Sequence, residues 1–248
     1  MKIEEGIHLF HGDCLEVLKK LPSNSIDLVL ADPPYGVLKY NTHWDNVIDL
    51  DILWSELNRV KKQKTPILLF AQQPYASALV SSNLKQFKYE WVWDKHISRG
   101  MQSAKFKPMV RHESILVFGD KGHNYYPIMV ERDKPIKRKL YKKDDTYFHG
   151  ENDGEYRTYT HKNPETILTG FWEKNKGKVH PTQKPVSLLE YLIKTYSKEE
   201  DIVLNFCFGS NSTGVAAYNT NRKYIGIEKD PIFFEIGKNR LQELIDNQ

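Results

Sequence analysis

Asp32, Pro33, Pro34 and Tyr35 stand in a row at the end of the apolar run Ile26-Asp27-Leu28-Val29-Leu30-Ala31, which reads as a buried strand. Each proline lacks a backbone donor and fixes its φ angle, so the strand must stop there. A carboxylate and an aromatic ring are thereby held on a stiff loop at the strand's carboxyl edge, where open α/β sheets place their ligands. That set suits methylation of an exocyclic amine on a nucleobase. The lone pair of such an amine is delocalised into the ring, so it attacks poorly until acceptors hold its two hydrogens and favour a more tetrahedral nitrogen. The Asp32 carboxylate and the Pro33 carbonyl are candidate acceptors. Tyr35 would stack on a base drawn out of the duplex, because a stacked and paired base cannot present its amine in line with a methyl donor. Taken alone, the four residues serve equally well as a strand terminator, so context must decide.

The loop resembles that of the amino-group DNA methyltransferases that use S-adenosylmethionine, above all the adenine-N6 branch, where Asp-Pro-Pro-Tyr is the usual form. The cytosine-N4 relatives more often carry Ser where this chain has Asp32. Two further stretches share the likeness, His180-Pro181-Thr182-Gln183-Lys184-Pro185 and the turn Asn205-Phe206-Cys207-Phe208-Gly209-Ser210-Asn211-Ser212-Thr213-Gly214. The resemblance covers the ends and the first half of the chain, not the middle. It implies an α/β, Rossmann-like fold: a mostly parallel twisted sheet, helices on both faces, and a circularly permuted order with the catalytic strand first and the cofactor turn last. It also implies direct in-line transfer with no metal and no covalent enzyme intermediate. Thr182 and Lys184 become candidates for the amino-acid end of the cofactor, and Asp13 for its adenine edge. Asn205, Phe208, Gly209, Ser210 and Asn211 would form the turn around it.

The turn departs from the family's usual Asp-Pro-Phe-x-Gly-Ser-Gly-Thr-Thr. Asn205 lacks the charge that would face the cofactor's ammonium, Cys207 replaces an aromatic residue, and Asn211 replaces a glycine. Asparagine is the least costly non-glycine residue at positive φ, so Asn211 is compatible with the turn. Glu228 ends the next apolar run, Tyr224-Ile225-Gly226-Ile227, about 20 positions beyond the glycine turn, where an acidic residue can hold ribose hydroxyls. Dinucleotide enzymes share that spacing, but in them this unit opens the chain, whereas here it closes it.

The elements that must position these groups alternate between strand and helix. Ile7 to His11 and Thr65 to Ala71 read as strands, as do Tyr89 to Trp93, Ser114 to Phe118 and Ile202 to Asn205. Between them, Cys14 to Leu21, Leu50 to Lys62, Pro74 to Ser81 and the stretch after Pro185 carry apolar residues at helical spacing. Asp13 stands where it could equally cap the first helix. Neither cysteine suits a covalent mechanism, since Asp13 precedes Cys14 and Phe206 precedes Cys207, not proline.

Lys95, Arg99, Lys105, Lys107 and Arg111 lie in one acid-free run between two strands, which reads as a basic loop able to track phosphates. From 123 to 178 the periodicity fades. Lys137, Arg138 and Lys139 cluster there with Tyr141, Tyr147, Tyr156 and Tyr159 nearby, a mixture suited to phosphate contact and base stacking. The expected organisation is therefore a catalytic half at 1–122, an inserted target-recognition region at 123–178 and a cofactor-binding half at 179–248.

A net charge of +4 over 248 residues says little about nucleic acid by itself, so local clusters carry that argument. Two cysteines are too few for a disulfide framework or a thiolate metal site, and no apolar run reaches membrane-spanning length, which points to a soluble cytoplasmic protein. Double-stranded DNA is the expected partner. A cognate restriction endonuclease would be a functional partner by resemblance, with the chain acting as a monomer or homodimer. Cytosine-N4 methylation is the nearest rival. A catalytically weak or silent DNA-binding relative would explain the altered turn, whereas a nicotinamide oxidoreductase leaves Asp32 to Tyr35 unexplained.

Overall fold

The computed structural model describes residues 6–36, 48–141, 152–172 and 183–247. In chain order the elements are β1 (Ile7–His11), α1 (Cys14–Leu18), β2 (Leu28–Ala31), α2 (Leu50–Val60), β3 (Ile67–Ala71), α3 (Tyr75–Ser82), β4 (Phe87–Arg99) and β5 (Val110–Phe118). They continue with β6 (Val130–Tyr141), β7 (Asn152–Lys162), β8 (Ile167–Leu168), α4 (Val186–Tyr196), β9 (Ile202–Asn205), α5 (Ser212–Asn219), β10 (Lys223–Glu228) and α6 (Pro231–Asp246). Two units result, Met1–Tyr126 with Thr166–Gln248, and Pro127–Glu165.

The larger unit holds a sheet ordered β1-β10-β9-β2-β3-β5-β4-β8. The strands from β1 to β3 are parallel, β5 runs antiparallel to both β3 and β4, and β8 pairs parallel with β4. Every residue of β2 and β3 is buried, as the unbroken apolar runs of a sheet covered on both faces require. Val29 and Leu69 face a core with Leu18, Leu53, Leu57 and Leu79 of α1, α2 and α3. Leu28, Leu30 and Leu68 face the opposite core, with Leu188, Leu192 and Ala216 of α4 and α5. The mostly parallel α/β sheet with helices on both faces is thus as the sequence predicts.

Chain direction fixes where a ligand can sit. From β2 the chain steps outward through β3, and from β9 it steps the other way to β10, with β1 beyond. The adjacent pair β9 and β2 is therefore the topological switch point, in register at Leu28↔Val203 and Val29↔Leu204. A crevice opens at the carboxyl ends of such a pair. The residues following β2 and β9 are Asp32 to Tyr35 and Phe206 to Asn211.

One expectation changes. The basic run is not a simple loop: β4 extends to Arg99 and β5 begins at Val110, so Lys95, Arg99 and Arg111 lie on the arms of a long hairpin. A register irregularity between Asp94 and Arg99 and positive φ at His96 and Gly100 break the alternation that would have marked those arms as strand. The smaller unit is built on a hairpin, with Lys137 opposite Thr158, Arg138 opposite Arg157 and Lys139 opposite Tyr156. Strands this polar carry no apolar period to read.

The start of α5 shows how tightly the cofactor turn is packed. Asn211 sits at φ 58° and ψ 32°, the left-handed conformation that asparagine tolerates best among non-glycine residues. A Cβ added at Gly214 would press on Asn211 Oδ1 and lie 2.8 Å from Tyr224 Cε1. Gly214→Ala is expected to destabilise the protein by about 1–3 kcal/mol through overpacking, read by denaturant unfolding. An unchanged midpoint would show that the turn has slack.

Candidate active site

Asp32 and Tyr35 follow β2, and the antiparallel β5 brings a third group to them. Ser114 pairs with Ala71, the last residue of β3, so Glu113 lies just past the carboxyl end of β3. The Tyr35 hydroxyl lies 2.7 Å from Asp32 Oδ1 and 2.8 Å from Glu113 Oε1, and donates its proton to this carboxylate pair. Lys184, just before α4, donates to Asp32 Oδ2 at 2.7 Å and to Glu113 Oε1 at 2.8 Å. Its ammonium also lies 4.9 Å from the centroid of the Phe70 ring. Lys95 donates to Glu113 Oε2 at 3.1 Å.

Two cations thus hold two carboxylates in a largely dry site. Against the cost of burial, Lys184 and Lys95 hold the Glu113 carboxyl down at about 2. Burial, opposed by Lys184 and reinforced by the charge of Glu113, moves Asp32 the other way, above its ordinary value. Burial would lower the Lys184 ammonium, but its two carboxylate partners outweigh that and raise it. Accessibility divides the carboxylates further: the Asp32 side chain is 25 % exposed and that of Glu113 only 5 %. Asp32 is the acceptor an incoming group can reach, and Glu113 is the internal charge behind it. The Tyr35 ring stacks on Tyr75 with centroids 5.5 Å apart.

On the other side of the switch point the turn after β9 is shaped by its own side chains. Asn205 donates from Nδ2 to Thr213 Oγ1 at 2.9 Å and accepts the Cys207 N–H on Oδ1 at 3.0 Å. The amide's donor and acceptor ends are both used, which accounts locally for Asn in place of the family's Asp. Phe208 is buried, its ring 5.8 Å from that of Phe234. Asn211 donates to the Gly237 carbonyl at 3.2 Å, and the Ser210 carbonyl accepts from Arg240 at 2.9 Å. The Phe208 ring and the Asn211 amide therefore brace the turn against α6.

Glu228 accepts the backbone N–H groups of Gly209 and Asp230, each at 2.8 Å, and burial raises its pKa. Asp13 caps α1 through the Leu15 N–H at 3.0 Å and accepts from Lys229 at 3.0 Å, so the capping role read from the sequence is present. Across the sheet, Asp13, Glu228 and Asp32 stand just past β1, at the end of β10 and just past β2, with the glycine turn of β9 between the last two. Such a row of acceptors fits a ligand with an amino-substituted ring at one end, a ribose diol next and positive charge toward Asp32, as S-adenosylmethionine has.

The remaining candidates fall into three groups. Lys184, expected at the cofactor's amino-acid end, directs its ammonium to Asp32 and Glu113; Thr182 lies outside the described residues. Lys95 is bound to Glu113, and Arg111 forms a two-pronged pair with Asp94 at 2.7 Å and 2.7 Å, so these two brace the hairpin. Arg99, Lys105 and Lys107, with Lys137, Arg138 and Lys139 of the smaller unit, are exposed, and Lys139 lies 5.6 Å from the Tyr156 ring centroid. The sequence reading missed Glu113. Its one signal was a carboxylate heading the apolar strand Ser114 to Phe118, directly after an acid-free run.

The chain matches the DNA methylase family of N6 and N4 methyltransferases over residues 26–239 and belongs to it. It is an amino-group DNA methyltransferase. DNA adenine methyltransferase YhdJ of Escherichia coli (strain K12) is 32% identical over 260 residues, covering 96% of this chain and 83% of that protein. Type II methyltransferase M.HinfI of Haemophilus influenzae is 28% identical over 274 residues, covering 96% and 69%. Among solved structures, the M1.HpyAVI–SAM complex superposes with a TM-score of 0.63 at 21% identity, covering 95% of this chain and all (100%) of that one. The cytosine-N4-specific PvuII DNA methyltransferase gives 0.66 at 17%, covering 98% and 91%. At these identities the structural likeness establishes the fold.

Proposed function

We propose that this chain methylates the exocyclic N6 of adenine in double-stranded DNA, with S-adenosylmethionine as methyl donor. The observation that carries the reading is the placement of Asp32, open at one edge and charge-braced at the other, beside the glycine turn at the sheet's switch point. Asp at the head of the loop and the relative named an adenine methyltransferase favour adenine over cytosine.

S-adenosylmethionine, when bound, supplies a methyl carbon made electrophilic by a sulfonium. The chain's own groups prepare the amine. Asp32 and the Pro33 carbonyl accept its two N–H groups, which turns the nitrogen lone pair toward the methyl donor, and Pro34 keeps that loop rigid. Lys184 and Glu113 fix the Asp32 carboxylate at its inner side. Tyr35, turned from its present hydrogen bonds, stacks on the extruded base. After transfer the nitrogen's surplus proton leaves to water past the open edge of Asp32. Asp13 and Glu228 hold the adenine edge and ribose of the donor, while Arg99, Lys105, Lys107, Lys137, Arg138 and Lys139 contact DNA phosphates. The smaller unit, with its basic hairpin, serves as target-recognition region.

Incubation with labelled S-adenosylmethionine and mixed-sequence duplex DNA tests the reading: label is expected in the DNA, and a DNA fraction without label would reject it. Glu228→Ala is expected to weaken S-adenosylmethionine binding about tenfold or more in calorimetry, from the loss of charge-assisted hydrogen bonds. Unchanged affinity would remove Glu228 from the donor site.

A further inference from the structure

We propose that the tip of the β4–β5 hairpin is a wedge that enters the DNA duplex beside the base being methylated, with Phe106 stacking into the gap left by that base. The inference rests on the DNA methylation proposed above and adds the residue that holds the duplex open.

Phe106 is 89% exposed and Met101 74% on the connection between the arms, and Ile97 is 54% exposed near the end of β4. Exposed Arg99, Lys105 and Lys107 are interspersed with them along the chain, and no carboxylate occurs between Lys95 and Arg111. An apolar protein surface would leave those cations without counter-charge. A nucleic acid offers phosphates for the cations and base faces for the ring.

The tip is ordered. Ser103 N–H donates to the Gly100 carbonyl at 2.9 Å, Ala104 to Met101 at 3.1 Å, and Phe106 to Ser103 at 2.9 Å. Its arms are fixed by the Arg111–Asp94 pair, and the Lys95–Glu113 bond ties them to the catalytic carboxylates. Val110, where the arm begins, is three residues from Glu113, roughly 10 Å along a strand. That is on the order of three base-pair steps. The tip thus continues directly from the strand that carries Glu113 to Tyr35 and Lys184, the neighbours of Asp32. Extrusion costs unstacking and unpairing, and an inserted ring restores part of the stacking.

The experiment uses the full chain and its Phe106→Ala variant. Methyl-transfer rates are measured first on mixed-sequence duplex and then on short duplexes carrying a target position mapped with the wild type, either fully paired or mismatched opposite the target. Phe106→Ala is expected to lower transfer to the paired duplex about tenfold or more, while the mismatched duplex, already easy to open, recovers most of the rate. S-adenosylmethionine affinity and sedimentation mass are expected to stay unchanged. An unchanged rate on paired duplex would overturn the wedge, as would equal losses on both duplexes. A drop in sedimentation mass would instead assign the tip to self-association. If the wild type itself labels no duplex, the methylation reading fails, which is a different result from loss in the variant alone.

Discussion

Asp32→Ala is expected to lower methyl transfer by about a hundredfold to a thousandfold, the usual cost of removing one preorganised partner of the reacting group. S-adenosylmethionine binding should survive to within about tenfold, because Asp13, Glu228 and the turn after β9 are intact. The reason lies in the division of labour between the carboxylates. Glu113 is enclosed and its oxygens are occupied by Tyr35, Lys184 and Lys95, whereas Asp32 keeps an open edge. Asp32→Asn preserves the shape but offers one acceptor oxygen and brings an amide group toward the incoming amine, so it should fail nearly as badly. Full activity in either variant would contradict the role given to Asp32.

The second large effect falls on stability. Lys184→Met leaves Asp32 and Glu113 side by side without the cation between them, and breaking a buried ion pair from one side costs about 3–5 kcal/mol near neutral pH. The pH dependence should also change. In the wild type the Glu113 carboxyl titrates at about 2 when folded against 4.5 as its ordinary value. Its contribution is therefore fully present above the ordinary value and lost as pH falls toward 2. Lys184 opposes the rise of Asp32 and lowers Glu113, so without it both carboxyls move up, Asp32 further above its unfolded value. The variant's penalty is then largest at neutral pH and relieved on acidification. Denaturant unfolding between pH 7 and 4 reads this directly. A Lys184→Met protein with the wild-type midpoint and slope would show that the Lys184 pairs contribute little.

How much was legible follows from how far each feature reaches along the chain. β2 and β3 are buried on both faces, so their apolar runs announce them, and Pro33 and Pro34 mark where the catalytic strand stops. Asn211 at positive φ could be foreseen because few side chains tolerate that backbone. Glu113 could not. It meets Tyr35 across 78 positions, and only the antiparallel insertion of β5 beside β3 brings it there. Lys184 was read from a linear motif as a cofactor contact, and its bond to Asp32, 152 positions away, could not be read from that motif. Lys95 and Arg111 were read as phosphate ligands because the run they bound holds no acid, while their partners Glu113 and Asp94 stand just outside that run, each on the facing strand. Charge clusters read in one dimension do not show which cations are already paired, and here Lys95 and Arg111 are, whereas Arg99, Lys105 and Lys107 are exposed at the hairpin's outer end.

The central claim is the transfer of a methyl group to the adenine amine held at Asp32, and identification of the product tests it most directly. Duplex DNA treated with enzyme and labelled S-adenosylmethionine is digested to nucleosides, and the labelled species is identified by mass spectrometry. The account predicts N6-methyladenine, lost in Asp32→Ala. N4-methylcytosine would keep the amine geometry and overturn the choice of base, and label in neither nucleoside would contradict the account.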